Sequence, residues 1–310
     1  MPQDTRHVII LLCTRNGENF LAAQLDSYLG QSHRNWSLWV SDDGSDDGTP
    51  ALLEAFRARH GADHDIRILQ GPETGRAADN FLSLLTHPDL PPGIVALSDQ
   101  DDIWLAGKLA RALKHLPQEA AQPMIYSAQS FYINARGVRR GGSRPPAAAP
   151  EFGTAMMQNV MAGHSMVLNP AAVALARQAG HVDIPYHDWW LSLLVAAAGG
   201  TNVLDRKRCI LYRQHKHNVM GAPGGIIARL YRIGQVVSRS YGCWIAANAR
   251  ALEGVTPLLT SESRNRVQRF LSAPARYGLR RITLLRDLGL HRQSRPQTWI
   301  VYLAAALGRV

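Results

Sequence analysis

Short apolar runs at residues 7–13, 36–41, 65–69 and 93–97 are separated by stretches at 18–29, 49–59 and 77–85 whose apolar positions recur with a helical period. Strand and helix alternating in this way predict βαβ units around a mainly parallel sheet. Asp46, Asp47 and Thr49 supply the N-cap and first-turn chemistry of the second helix. In open α/β sheets ligands sit at the carboxyl ends of the strands. Three polar turns fall on that edge: Thr14-Arg15-Asn16-Gly17, Asp42-Asp43-Gly44-Ser45 and Asp99-Gln100-Asp101-Asp102.

Beyond residue 100 the pattern is less regular. Residues 136–150 are rich in Arg, Gly, Pro and Ala without a period and read as a mobile surface loop over a substrate. A strand is expected at 165–168. An apolar helix opens around His187-Asp188-Trp189-Trp190 and ends at Gly199-Gly200, which places Asp188 in its first turn. A further apolar strand, 209–212, leads into Arg213-Gln214-His215. From 226 to 250 a helical projection gathers Ile226, Leu230, Ile233, Val237, Tyr241 and Trp244 on one face and Arg232, Arg239 and Arg250 on the other.

The Asp99 cluster carries the sharpest chemistry. A buried strand ending in three carboxylates raises each one's pKa unless a cation compensates them. Hard oxygen ligands favour Mg²⁺ or Mn²⁺, and Mg²⁺ completes its shell with water and substrate phosphates. The cluster therefore predicts a diphosphate ligand. Asp102 has a second reading, as the cap of a helix beginning near Leu105, and Asp42 to Thr49 has one as a helix-capping turn.

The 310 residues, 46% of them apolar, suffice for one large domain or one domain with an appendage. Charge favours the appendage. Residues 221–310 hold fourteen Arg, no Lys and only Glu253, Glu262 and Asp287, a surplus of +11, whereas residues 1–220 carry 20 basic and 21 acidic side chains and sum to −1. A boundary near residue 221 is expected, with a catalytic domain over 1–221 and a basic helical region over 222–310. That region reads either as helices packed on the catalytic domain or as a surface for anionic lipid headgroups, Trp244 and Tyr231 among its arginines. Cys13, Cys209 and Cys243 form no C-x-x-C pair, and the first apolar run is too short for a signal-peptide core, so a cytoplasmic protein peripheral to the inner face of the plasma membrane is expected.

Taken together, the turn Cys13-Thr14-Arg15-Asn16-Gly17-Glu18, the turn Asp42 to Thr49, the Asp99-Gln100-Asp101-Asp102 cluster, His187-Asp188-Trp189-Trp190 and Tyr212-Arg213-Gln214-His215 resemble the family 2 inverting glycosyltransferases of the GT-A fold. The resemblance spans about residues 7–221, and the last two segments resemble its rhamnosyltransferase-like branch. It implies a Rossmann-like nucleotide-sugar-binding sheet, a dTDP- or UDP-sugar donor and a glycan or lipid-linked glycan acceptor. It implies that Asp43 bonds the nucleobase, Asp99 the ribose or metal, and Asp101 the metal. Thr14, Asn16, Arg213 and Gln214 would join the donor site, with Arg suited to bidentate phosphate contact. His215 reads either as a metal ligand or as a surface histidine. Asp188 is the expected general base, with His187 its rival, and Trp189 and Trp190 would seat the acceptor or, equally, fill the core. Arg15 departs from the family, which usually has an aromatic there, and Arg213-Gln214-His215 replaces the Q-x-x-R-W of processive synthases. Two competing classes remain: a nucleotidyltransferase, for which the chain lacks a G-x-G-T-R loop, and a nucleic-acid binder, for which it lacks a zinc finger, RNP motif or helix-turn-helix.

Overall fold

The computed structural model describes residues 4–118, 120–215, 239–273 and 277–310. Four strands and three helices alternate as the pattern predicts: β1 (Val8–Thr14), α1 (Leu21–Leu29), β2 (Trp36–Asp42), α2 (Thr49–His60), β3 (Ile66–Gln70), α3 (Ala77–Leu85) and β4 (Ile94–Asp99). Helix α1 starts three residues later than its period suggests. The Gly17 and Glu18 amides are taken by the side chains of Thr49 and Asp47, which pins those residues to the next loop instead.

The second half contains β5 (Ile103–Trp104), α4 (Lys108–His115), β6 (Met124–Asn134), β7 (Arg139–Gly142), α5 (Phe152–Met157), β8 (Val167–Leu168), α6 (Pro170–Ala179), α7 (His187–Ala197) and β9 (Thr201–Gln214). Strand order is β3-β2-β1-β4-β8-β6-β9-β5, with β7 folded back on β6. The pairs β2–β3, β1–β2, β1–β4 and β6–β9 are parallel, while β8 runs antiparallel to both β4 and β6 and joins the two halves. The fold is thus mixed α/β with a mainly parallel sheet, as expected.

Three expectations need correction. The loop read over 136–150 contains strand β7, which pairs antiparallel with β6 although it is Arg- and Gly-rich. The strand before Arg213 is 14 residues long, so Arg213 and Gln214 lie within it rather than beyond it. Asp102 does not cap a helix: α4 begins at Lys108 behind Gly107, and Asp102 Oδ1 instead accepts from the Arg213 backbone N–H at 3.0 Å.

Alternation along β1 divides the core. Val8, Ile10 and Leu12 face a layer made with α1, α2 and α4, including Leu21, Leu53, Phe56 and Leu109. Ile9 and Leu11 face the layer of α3, α5, α6 and α7. That second layer continues into α8 (Arg239–Gly254), α9 (Ser261–Ser272), α10 (Gly278–Asp287) and α11 (Arg295–Ala306), whose Ile245, Phe270, Leu285 and Val301 are buried in the same cluster.

On α8, Tyr241 is buried and Trp244 half-buried, their rings against Trp189 at 6.0 Å and Tyr186 at 5.3 Å, while Arg239 and Arg250 are exposed. The apolar face of this helix packs on the α7 layer. Ile226, Leu230, Tyr231, Arg232, Ile233 and Val237 lie outside the described residues. Among the described residues no helix is long and apolar enough to cross a membrane.

Candidate active site

The three polar turns converge where β1, β2 and β4 end, because these strands are parallel neighbours in register. Side chains stitch the turns together. Asp42 Oδ1 accepts from Thr14 Oγ1 at 2.7 Å and Ser45 Oγ at 2.6 Å. Asn16, at a left-handed φ of 49°, receives the Asp46 N–H on its Oδ1 and donates its own N–H to Ser45 Oγ. Gln100 grips the Arg15 backbone from both sides, accepting its N–H and donating to its carbonyl, each at 2.8 Å. Asn16 is thereby a loop-joining residue, and Gln100 fixes the height of the Asp99 turn against the first loop.

Asp43 is 3% exposed, and its carboxylate accepts from the backbone of Gly75 at 2.7 Å and Thr74 at 3.2 Å, with the Arg15 guanidinium 3.7 Å away. Gly75 has a φ of 72°, and a Cβ there would fall 2.1 Å from Arg15 Nη1, so Arg15 lies across this glycine.

Next to these turns opens a cavity of about 910 Å³ with Thr14, Asp43, Asp99, Asp101, His164, Asp188 and His215 on its wall. Burial, and then the charges of Asp101 and Asp188, push the Asp99 carboxyl up to about 8. Asp102 is fully buried and raised for the same first reason, with Asp101 and Asp99 adding to it. Asp101 Oδ2 lies 2.6 Å from His215 Nε2. Asp99, Asp102 and His164 present donor atoms within 4.8 Å of one another. Asp102 Oδ2 is buried without a hydrogen-bond partner. An orphaned carboxylate oxygen beside two further carboxylates is the donor set that a hard divalent cation neutralises, so these residues fit Mg²⁺ or Mn²⁺.

His164 carried no motif in the sequence and emerges only from the fold. Burial pushes its imidazole down to about 3, its Nε2 is 2.7 Å from Ser130 Oγ, and its ring stacks on Tyr212. A neutral imidazole at this pH range keeps a lone pair for a ligand.

Asp188 lines the same cavity from the first turn of α7, as the helix pattern predicted. Its Oδ1 accepts from Asn159 Nδ2 at 2.8 Å and from the Trp189 N–H, and its Oδ2 accepts from the Gly163 N–H at 3.1 Å. His187 also lines the cavity, but its ring is buried and stacks on Phe81 at 4.0 Å, and burial lowers its pKa.

Four site residues expected from sequence stand off the cavity wall. Trp189 and Trp190 are 2% and 0% exposed, and Trp189 Nε1 donates to the Ala155 carbonyl at 2.6 Å. Helix α7 is covered on all sides, so both tryptophans are core rather than acceptor platform. Arg213, 5% exposed, donates from Nε to the Asp101 carbonyl at 2.8 Å and from Nη1 to the Ala135 carbonyl at 3.0 Å, with its guanidinium over Phe20. Together with its backbone bond to Asp102 it braces the acidic turn from behind. Gln214 is half-buried beside it, its amide nitrogen buried without a partner.

The chain is 29% identical over 252 residues to the dTDP-rhamnosyl transferase RfbG of Shigella flexneri, spanning 78% of this chain and 84% of that protein. It is 32% identical over 102 residues to an Escherichia coli enzyme, the UDP-Glc:alpha-D-GlcNAc-diphosphoundecaprenol beta-1,3-glucosyltransferase WfgD, covering 33% of this chain and 38% of that one. The fold superposes on the Pyrobaculum calidifontis mannosyltransferase PcManGT, solved with GDP-Man and Mn²⁺, with a TM-score of 0.52 at 17% identity over 97% of this chain and 85% of that one. It superposes on S. aureus TarS residues 1–349, solved with UDP-GlcNAc, with a TM-score of 0.53 at 14% identity over 91% and 81%. Residues 9–173, from the first strand through the acidic turn to α6, match Glycosyl transferase family 2, and the chain is a glycosyltransferase of that family.

Proposed function

We propose that this enzyme moves a sugar, L-rhamnose in the first instance, from a dTDP- or UDP-linked donor to a glycan or lipid-linked glycan acceptor during cell-surface polysaccharide synthesis, at the inner face of the plasma membrane. The observation that carries this reading is that Asp188 lines the same cavity as Asp99 and Asp101, near enough for its charge to raise the Asp99 carboxyl. The rhamnosyl donor is supported by RfbG, whose likeness extends past the family match into the second half of the chain.

In this reading Asp43 accepts the nucleobase imide N–H on a lone pair left over from Thr74 and Gly75, and the flat Arg15 guanidinium stacks on the base in place of an aromatic ring. Asp99, Asp101 and Asp102, with His164 and His215 beside them, would hold a divalent cation, which when bound would supply positive charge against the leaving diphosphate, worth several kcal/mol. Thr14 and Asn16 shape the donor loop through Asp42 and Asp46. Asp188, aimed by Asn159 and Gly163, takes the proton of the acceptor hydroxyl as its oxygen bonds to the anomeric carbon. The bond from that carbon to the diphosphate breaks in the same step, which inverts the anomeric centre.

Incubating the protein with dTDP-, UDP- and GDP-sugars, an acceptor and Mg²⁺ or Mn²⁺ tests this directly. Release of nucleoside diphosphate supports it. Release of pyrophosphate indicates nucleotidyl transfer instead, and a chelator that leaves turnover untouched removes the cation.

A further inference from the structure

Six large apolar side chains are exposed among the described residues, and five of them fall within one helical hairpin. Tyr277, just before α10, is 74% exposed and Leu279 in its first turn 80%, while Trp299 and Leu303 on α11 and Leu307 just past its end are 56%, 60% and 72% exposed. These last three are four apart and form one stripe, with Val301, Tyr302 and Ala305 buried on the other side. Arg281 Nε reaches the Val310 carbonyl at 3.3 Å, so the start of α10 lies beside the end of α11 and Leu279 shares an end with Leu307. Arg280 and Arg286 on α10, Arg295 at the start of α11 and Arg309 just past its end are exposed, and Asp287 is the one acid between 277 and 310.

We propose that the α10–α11 hairpin is the surface that seats this enzyme on an anionic lipid bilayer. The inference rests on the lipid-linked acceptor proposed above, and it places the membrane contact on α10 and α11 rather than on α8, whose apolar face is already covered. A second protein chain would present counter-charges in a fixed pattern. A hairpin that exposes four arginines, Trp and Leu against a single acid instead suits a headgroup layer over acyl chains, where Trp occupies the boundary and arginines reach the phosphates. The hairpin is also coupled to the site. In the segment joining its helices, the Gln293 N–H donates to Gln158 Oε1 at 3.1 Å and Arg292 Nη1 donates to Tyr241 Oη at 2.5 Å, and Tyr241 Oη donates to the Met157 carbonyl. Asn159, which holds Asp188, follows directly. A bilayer holding the hairpin therefore also fixes how far the cavity stands from the lipid.

The test is flotation of the full-length protein with vesicles of phosphatidylcholine, with and without phosphatidylglycerol. The protein is expected to float with the anionic vesicles and not with the neutral ones. Replacing Trp299, Leu303 and Leu307 together by Ser is expected to weaken partitioning on the order of tenfold or more, and Arg280→Glu with Arg295→Glu roughly fivefold per site. Donor turnover on a soluble acceptor and the melting temperature should stay at wild-type values in both variants, so a loss of binding is not a loss of fold. Wild type that stays with the unbound fraction, a serine variant that floats as well as wild type, or a dimer that only the serine variant dissolves would each overturn the proposal. Absence of any sugar transfer with retained flotation would overturn the catalytic reading instead and leave the surface standing.

Discussion

Asp188 receives three hydrogen bonds that aim its carboxylate, and none of them involves a titrating side chain. Asp188→Asn keeps the size and removes the basicity. Turnover is expected to fall on the order of 10²–10⁴-fold, with donor affinity by calorimetry unchanged. His187→Ala, which removes a ring buried against Phe81, is expected to cost less turnover than the Asp188 change. The reverse order would move the base to His187. A second residue-scale prediction concerns Asp205 on β9. Burial pushes its carboxyl up, but hydrogen bonds from Arg111, the Lys207 N–H and the Tyr126 hydroxyl prevail and hold it at about 2. A carboxyl held below its unfolded value of 3.8 adds stability that is complete above about pH 4 and is lost as pH falls toward 2. Asp205→Asn removes the charge that faces Arg111, whose guanidinium still reaches solvent, and is expected to cost about 1–2 kcal/mol at pH 7. Denaturant unfolding at pH 7 and pH 3 checks the sign, because the gap between variant and wild type should narrow at the lower pH.

At the scale of elements, the site depends on a close approach between the 3₁₀ turn Gly163–Ser165 and the start of α7. A Cβ on Gly163 would meet His187 Nε2 at 2.6 Å and Asp188 Cβ at 3.0 Å. Gly163→Ala must push the α7 terminus away or tilt the Asp188 carboxylate. It is expected to destabilise by about 1–3 kcal/mol and to lower kcat while nucleoside diphosphate binding, which lies on the β1–β2–β4 side, is retained. Equal loss of both would place the damage in the whole fold. The strands and helices of the first hundred residues were legible because each is long, apolar and bounded by polar turns. The acidic edge was legible because parallel strands in register must end together. Strand β7 was not, because its Arg and Gly residues gain order only from pairing with β6. His164 was not, because a histidine in a turn carries no period. Trp189 and Trp190 were misplaced for a related reason: a tryptophan beside a functional aspartate reads the same in sequence whether its ring faces a cavity or the layer behind it.

Over the whole molecule, the charge surplus of residues 221–310 marks a surface, and the described helices of that region also carry a buried face. The inward faces of α8 to α11 bury Tyr241, Ile245, Phe270, Leu285 and Val301 in the cluster that also holds Trp189, Met156 and Phe152. Tyr241 bonds the Met157 carbonyl and Arg266 bonds the Leu288 carbonyl, so these contacts run both from the helices to the catalytic layer and among the helices themselves. Ending the chain after residue 215 would uncover the α5 and α7 side of that cluster, where each buried large side chain left open forfeits about 1.5–3 kcal/mol. Such a shortened protein is expected to melt well below the full chain and to bind a hydrophobic dye at temperatures where the full chain does not. Full-length protein, with a single shared core, should unfold in one transition by both calorimetry and circular dichroism. A shortened chain that melts like the intact one and stays dark to the dye would show that residues 222–310 fold as a separate body. Asn159 would then need another brace, because its present one runs through Met157 to Tyr241.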